Sequence, residues 1–563
     1  MRLDKLTIGS EKVGKSHQFK NLKNVTVDFD QKHWVTVVIG WNGSGKSNVL
    51  EALAIIFKEF ISVVHLSTRK PRIEFSFKLS YNMGDGDSLR HIEIIHDPDN
   101  GSEPFDISVI QNSKQIKLPT DSAKQSPSNK SQLKIGAFLK DEANLPRYVF
   151  SYYSGESSRM RDIFAPYLQR YDAQLRAAKD PGLKRLFYAS PVHSQFVLLA
   201  FLMLKSDDVS NFLNEFLGID TEEGLESVLF VLREPPWPPQ EQGDPRFWGA
   251  KGIVSDFLSR LYDIALAPVE TERKIAVSLW NEKTLQFKYL YVKNIQALRQ
   301  LVGDQSPAEF FRDLESTHVS QLIDEVRIRV KLKNNDDTVT FRELSEGEQQ
   351  LLTVLGLMRF TAENESLFLL DEPDTHLNPR WTVDYLKYLE KFIGKSADGK
   401  ESSHVVLTTH NPLAVAELLK EQVQILVRDK SDMKITSQSP DTHPRGMGYA
   451  GVITSELFGL DAAVDSFTLA LLNEKRELSS VDNDLTEAQR KRLEHINSEL
   501  AKLGFQYEMR DPVYTAYLKT RYGNEDISED RNNEADMSLA QKKSRAKRLV
   551  EQALKKTEAS GEK

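Results

Sequence analysis

The segment VVIGWNGSGKSNVLEAL carries glycine, glycine, lysine and serine at the spacing G-x-x-x-x-G-K-S, as Gly40, Gly45, Lys46 and Ser47. The chemistry this pattern serves is the holding of a polyphosphate. Glycines let successive backbone N–H groups wrap phosphate oxygens, the lysine neutralises the β- and γ-phosphates, and the serine hydroxyl ligates Mg²⁺. Asn42, Gly43, Ser44 and Asn48 complete the loop and its exit. A second acidic element, SLFLLDEPDTHLNP, ends an apolar strand on Asp371 and Glu372. An acid at that strand end can hold the hydration shell of Mg²⁺, and the next one can take a proton from an attacking water. A third element, VVLTTHNP, delivers His410 just past another buried strand, within reach of a γ-phosphate or of the water.

Positioning such groups requires a strand before the glycine loop and a helix after it. WVTVVIG and SNVLEALAIIF supply both. The segments at 71–82 and 91–97 alternate apolar and polar residues and predict antiparallel strands with one wet face. Residues 112–134 are polar and predict a loop, and residues 160–232 are mostly helical in pattern. REPPWPPQEQGDPRFWG cannot be regular helix, because proline removes a donor and clashes with the preceding turn. Strand patterns return at 272–292 and 325–341, followed by alternating helices and buried strands, and then by helix from about Met447. The fold class expected is α/β. It comprises a first lobe at 1–159, a helical insert at 160–270, a second lobe at 271–440 and a helical extension at 441–563.

Composition sets the outer limits. The chain has 563 residues, 40% hydrophobic and 28% charged, which is enough for several structural units. It has no cysteine, so disulfides, thiolate metal sites and cysteine nucleophiles are excluded, and a reducing cytoplasm is compatible. The opening MRLDKLTIGSEKVGKSH has no apolar core of a signal peptide, and the longest apolar run, FVLLAFLML, is too short for a membrane span. The net charge of −8 does not advertise nucleic-acid affinity for the whole molecule, although a local basic patch can supply it.

A further motif, LSEGEQQ at 344–350, stands far downstream of the phosphate loop. Together the four motifs resemble the heads of ABC-class ATPases, in the branch that includes SMC, RecF and overcoming-lysogenization-defect proteins. The resemblance implies ATP and Mg²⁺ as ligands and a homodimer in which the signature helix of one head caps the ATP of the other. Ser345, Gly347 and Glu348 would then face a neighbour's nucleotide, with the helix N-terminus offering its dipole and N–H groups. Phe19 and Lys20 stand in the place of an aromatic–basic pair near the nucleotide, or are simply part of a half-buried strand. Ser154 stands where the family's Q-loop glutamine is expected.

The interval between phosphate loop and signature is too short and too broken for a long coiled coil. The strand VQILVRD carries Arg428 where a Toprim nuclease would place its glutamate, and no Asp-x-Asp follows. The tail from Gly448 is similar to that of PtuA-like ATPases of anti-phage systems (Septu and retrons), which implies a partner HNH nuclease, PtuB-like, and in a retron a reverse transcriptase with its nucleic acid. The implied function is an ATPase that senses or drives within a defence complex, cuts nothing itself and touches no membrane. Two rivals remain: a RecF-like repair ATPase on DNA, and an ATP-bound scaffold with little turnover. DLTEAQRKRLEHINSELAKLG opens with Asp484 and Glu487 in a capping pattern and carries Leu493, Ile496, Leu500 and Leu503 in one stripe, either core or a partner seat. QKKSRAKRLVEQALKK packs five cations into seven residues, a solvated face or a nucleic-acid or partner contact.

Overall fold

The computed structural model describes residues 1–503 except 68–69, 112–129, 222, 277–281, 333–337, 362–364, 394–401, 430–432, 461 and 481–485. Its centre is a seven-stranded sheet. The strand order is Ile435–Gln438, Val423–Arg428, Val35–Gly40, His404–Thr408, Leu367–Asp371, Val149–Tyr153 and Leu186–Tyr188. All neighbours run parallel except the first pair, which is antiparallel. The middle strands are buried on both faces, which is why VTVVIG, LFLLD and HVVLT read as continuous apolar runs rather than alternations. Parallel pairing brings the C-terminal ends of three of these strands to one edge, where Gly40, Asp371 and Thr408 sit together.

A six-stranded antiparallel sheet is built from Val25–Asp28, Arg2–Ile8, Phe77–Met83, Arg90–His96, Phe105–Gln111 and Lys130–Leu133, in that order. The helix Lys46–Leu66 packs its apolar side into the core shared with this sheet. The expected strand at 71–82 begins only at Phe77, and part of the expected loop at 112–134 is the edge strand Lys130–Leu133. Residues 112–129 lie outside the described residues.

Residues 160–270 are not wholly helical. Helices Arg159–Arg176, Val192–Phe201, Asp207–Phe216 and Gly252–Ile264 are present, but Leu186–Tyr188 joins the central sheet. Leu225–Arg233 is the middle of a separate five-stranded antiparallel sheet, flanked by Glu282–Val292 and Leu266–Ala276 on one side and by Ile323–Lys331 and Thr338–Thr340 on the other. The segment LESVLFVLR is buried on both faces, so its periodicity cannot distinguish strand from helix. The proline-rich stretch after it has a single 3₁₀ turn, Pro245–Phe247, and its Trp237, Phe247 and Trp248 are core residues. FVLLAFLML lies largely in Val192–Phe201, a helix with nearly every side chain buried. Among the described residues no helix is long and apolar enough to cross a membrane.

The chain divides into two compact units, Met1–Leu460 and Asp461 onward. In the second unit Ser466–Ser480 and Glu487–Lys502 pack through Leu471, Ile496 and Leu500. Leu493 is half-buried and Leu503 is exposed, so most of the leucine stripe is internal to this helix pair. The cap is Thr486 with Gln489, not the Asp484 and Glu487 pattern, because the helix starts at Glu487 and only Thr486 stands immediately before it. DPVYTAYL, the acidic stretch at 524–536 and the basic segment at 541–556 lie outside the described residues.

Candidate nucleotide site

The loop between the strand Val35–Gly40 and the helix Lys46–Leu66 uses its glycines for space as well as for dihedral angle. Gly40, Gly43 and Gly45 have φ of 150°, 81° and 94°. A Cβ on Gly40 would lie 2.5 Å from the Leu426 carbonyl oxygen, and one on Gly45 would lie 2.7 Å from a Leu22 methyl. Lys46 donates to the Gly40 carbonyl at 2.8 Å, folding its side chain back over the loop. The Ser44 hydroxyl is buried and has no hydrogen-bond partner among the described residues. A buried polar atom without a partner is uncommon. A hydroxyl left without a protein partner at this place can donate to an anion's oxygen.

Facing the loop, Asp371 is 2% exposed and ends the strand next but one. It accepts from the Thr408 hydroxyl and from Ser47. Burial raises its pKa, opposed by those two hydrogen bonds. A buried carboxylate beside a serine hydroxyl at a helix start is a donor set suited to a hard divalent cation, which would relieve the same desolvation. Burial acts in the opposite direction on the Lys46 pKa, lowering it, and Glu372 and Asp371 pull it back up.

Glu372 has a left-handed backbone, φ 53°. That conformation is uncommon for a non-glycine residue. It is held by the Glu372 amide donating to the Thr408 carbonyl at 3.0 Å and the Thr408 hydroxyl at 3.1 Å. The side chain thereby meets His410, with Oε2 2.9 Å from Nε2. The histidine lowers the pKa of Glu372, and Glu372 raises that of His410. Next to them buried Asp374 accepts from the Thr409 hydroxyl at 2.8 Å. The two threonines of LTTH thus hold the two buried acids of DEPD, a pairing that sequence reasoning missed although both motifs were in view.

Other neighbours were also missed. Asn21 donates to the Gly43 carbonyl at 2.9 Å and accepts from Asn48. Glu51, one turn beyond Ser47 and 3% exposed, is paired with Lys20 and with Arg159 at 3.1 Å. Lys20 therefore touches the helix of the phosphate loop, and Phe19 packs on Phe75 in a tilted arrangement with ring centroids 4.6 Å apart. Ser154 bonds the Asp371 carbonyl through its own amide at 3.3 Å and approaches the Thr375 hydroxyl at 3.3 Å. Asn42 is exposed on the loop.

The turn LSEGEQQ opens the helix Glu346–Thr361. Ser345 and Glu348 form a capping box. The Ser345 amide and hydroxyl donate to the Glu348 carboxylate at 2.7 and 2.8 Å, and the Glu348 amide donates back to the hydroxyl at 3.3 Å. Gly347 packs against its own chain, since a Cβ there would lie 2.5 Å from the His376 carbonyl oxygen. Gln350 donates to the Pro373 carbonyl. The signature turn is therefore fastened to the loop that follows Asp371 and Glu372. The exposed Glu346 carboxylate turns to His376, 3.5 Å away.

Comparison with known families agrees with this geometry. The family described as "AAA ATPase domain" matches residues 17–161, which contain the phosphate loop. The family described as "AAA domain, putative AbiEii toxin, Type IV TA system" matches residues 237–416, which contain the signature, Asp371, Glu372 and His410. The chain carries an AAA ATPase domain. Its two matched segments meet in one site because parallel pairing sets their strands side by side, and the arrangement fits an ABC-type head. The chain is similar to the Septu protein PtuA of Bacillus mycoides (strain KBAB4), 26% identical over 34% of this chain and 27% of the relative. The Retron Vc95 probable ATPase of Vibrio cholerae serotype O1 biovar El Tor is 21% identical over 76% of this chain and 75% of its own length. Protein ea59 of Escherichia phage lambda is 23% identical over 46% and 48% respectively. The chain thus spans about a quarter of the Septu relative and about half of the phage protein.

Proposed function

We propose that the chain binds and hydrolyses ATP with Mg²⁺, that two copies pair head to tail around the nucleotides, and that the pair governs a separate nuclease in an anti-phage defence complex. The observation that carries this reading is Glu372, a carboxylate held in a left-handed conformation at the sheet edge, beside His410 and in the field of Lys46. Strain of this kind persists where surrounding bonds enforce it, and it clusters at functional sites.

In this reading Lys46 and the loop amides hold the phosphates, with Asn42, Gly43, Ser44 and Asn48 shaping the cradle. Ser47 and Asp371 would hold Mg²⁺, which when bound offsets charge on the β- and γ-oxygens. Glu372 orients water and accepts its proton, and His410 steadies Glu372 and contacts the γ-phosphate. The signature turn of the second copy closes the site. Because the Ser345 hydroxyl and Glu348 are engaged with each other, the backbone N–H groups at Glu346 and Gly347 contribute most. In this reading 1–159 and 271–440 are the two lobes, 160–270 is inserted between them in sequence while lending strands to both the central and the five-stranded sheet, and the extension from 441, most of it in the unit that begins at Asp461, serves the partner.

The resemblance to the Septu and retron relatives supports an HNH nuclease, PtuB-like, as partner, and in a retron setting a reverse transcriptase with its nucleic acid. The expected compartment is the cytoplasm. A second reading, an ATP-bound scaffold with little turnover, is favoured by the same ion pair, since His410 occupies the base that hydrolysis needs. Phosphate release by the purified chain, with and without Glu372→Gln, decides between them, and sizing with and without ATP tests the pairing.

A further inference from the structure

The five-stranded sheet has two unlike faces. Phe230, Leu290 and Ile328 point into the main core. The opposite face is set by register: Leu229 pairs with Tyr291 on one side and Arg327 on the other, and Val231 pairs with Tyr289 and Glu325. One row across three strands therefore reads arginine, leucine, tyrosine. Val231, Leu285 and Phe287 form a small apolar cluster of their own, apart from the main core. Arginine and tyrosine roof this cluster. The Arg273 guanidinium lies 5.0 Å from the Phe287 ring centroid and donates to the Tyr289 hydroxyl at 3.0 Å. Tyr291 is 38% exposed.

Cations outnumber acids on this face. Arg327, Arg329 and Lys331 follow one another at every second residue of one strand, all exposed. Two acids offset them: Glu226 pairs with Arg329 at 3.1 Å, and Glu325 is shared by Arg327 and Arg342 and also feels Arg273, which leaves the cations in excess. The face stands out in a chain whose net charge is −8. Nothing in the nucleotide site uses it.

We propose that this face of the five-stranded sheet binds single-stranded nucleic acid, with bases stacked on Tyr291 and Tyr289 and phosphates on Arg327, Arg329 and Arg273. An exposed Tyr291 and a half-buried Tyr289 interleaved with arginines on an open antiparallel sheet suit splayed bases, because any base offers a π-face and the backbone needs only positive charge alongside. A duplex keeps its bases stacked inside, and a sheet several strands wide does not enter a groove about 12 Å across. An acidic protein segment would match the charge but would leave the tyrosines unused. The assignment is independent of ATP hydrolysis.

The test uses the full chain, as wild type and as Lys46→Ala, so that loss of nucleotide chemistry is separated from loss of this surface. Fluorescence anisotropy is read with labelled single-stranded DNA, single-stranded RNA and duplex DNA, each about 20 units long, over a series of salt concentrations. Both forms of the chain are expected to bind a single strand more tightly than duplex, with affinity falling as salt rises. Comparing DNA with RNA identifies which strand is preferred. Arg327→Glu and Tyr291→Ala are each expected to weaken binding about tenfold, while Tyr291→Phe retains it, since stacking needs the ring and not the hydroxyl. Unchanged thermal unfolding of these exposed-site variants confirms their fold. The proposal is overturned if Arg327→Glu or Tyr291→Ala binds like the parent, if duplex is preferred, or if polyglutamate competes as well as the single strand.

Discussion

Glu372 Oε2 and His410 Nε2 lie 2.9 Å apart, although they leave the ends of two different strands. The strands Leu367–Asp371 and His404–Thr408 run parallel, with Asp371 opposite Thr408. Glu372 and His410 therefore emerge on the same edge, one residue and two residues beyond that pair. The ion pair couples the proposed base to an imidazole whose own pKa it raises.

That coupling gives a pH dependence. His410 has a raised pKa because of Glu372, so the charged pair is complete below that raised value and is lost as pH rises through it. Glu372 has a lowered pKa, so its charge is lost only as pH falls below the ordinary carboxylate range. Any stability the pair contributes is present between these limits. Turnover is expected to rise on the alkaline side as Glu372 is released, and His410→Ala should flatten that limb. A pH–rate profile of phosphate release in which both proteins keep the same alkaline limb would count against the coupling.

Lys46→Ala should abolish ATP binding, because the buried ammonium and its neighbours form the charge that holds the phosphates. Glu372→Gln should bind ATP normally and turn over about 10²–10⁴-fold more slowly, the usual scale for a lost general base. Equilibrium binding and single-turnover phosphate release measure the two effects separately. Full hydrolysis by Glu372→Gln would remove Glu372 from the reaction.

Ser345→Arg should leave the phosphate loop intact and block ATP-dependent pairing by placing bulk and charge at the shared face. Mixed with Lys46→Ala protein it should recover part of the activity, since a mixed pair keeps one site with an intact loop and an intact signature. If mixed pairs are confirmed by sizing and show no recovery, composite sites are ruled out.

Gly347→Ala and Gly356→Ala sit on the same helix and should part company. A Cβ at Gly347 meets the His376 carbonyl oxygen at 2.5 Å, and one at Gly356 meets a Val197 methyl at 2.0 Å. Both changes overpack and should lower stability by about 1–3 kcal/mol, read by thermal or denaturant unfolding. Only Gly347→Ala pushes on the loop that carries Glu372, so only it should also slow turnover in the fraction that remains folded. Equal turnover per folded molecule would argue that the signature's fastening to that loop does not matter.

The chain alone should cleave neither DNA nor tRNA, with Mg²⁺ or Mn²⁺ and with or without ATP. Among the described residues the one clustered set of possible metal ligands is His17, Asp97 and Asp99. There Asp99 is taken by His17 at 2.7 Å and Asp97 by Lys12 at 2.6 Å. Cleavage that survives both Asp371→Ala and Glu372→Gln would reveal a second active site.

Much of the candidate nucleotide site's local geometry was legible in the sequence because its parts are local. A strand, a glycine loop and a helix follow one another within VVIGWNGSGKSNVLEAL, and the acids of LFLLDE and the histidine of LTTH each close a buried run. What sequence could not give was which residues beyond the motifs support them. Thr408 holding Asp371, Thr409 holding Asp374 and Arg159 pairing with Glu51 are contacts between segments far apart in the chain, the first two fixed by strand order and the third by the packing of the helices Lys46–Leu66 and Arg159–Arg176. The signature's local capping box, Ser345 with Glu348, was available from S-x-x-E spacing, yet the packing of Gly347 on His376 was not, because it depends on where the following loop returns. The strand Leu225–Arg233 was misread as helix for a related reason. Buried on both faces, it shows no period, and only its pairing with Glu282–Val292 and Ile323–Lys331 makes it a strand. The same pairing sets Arg327, Leu229 and Tyr291 in one row, residues from three distant segments that no linear spacing connects.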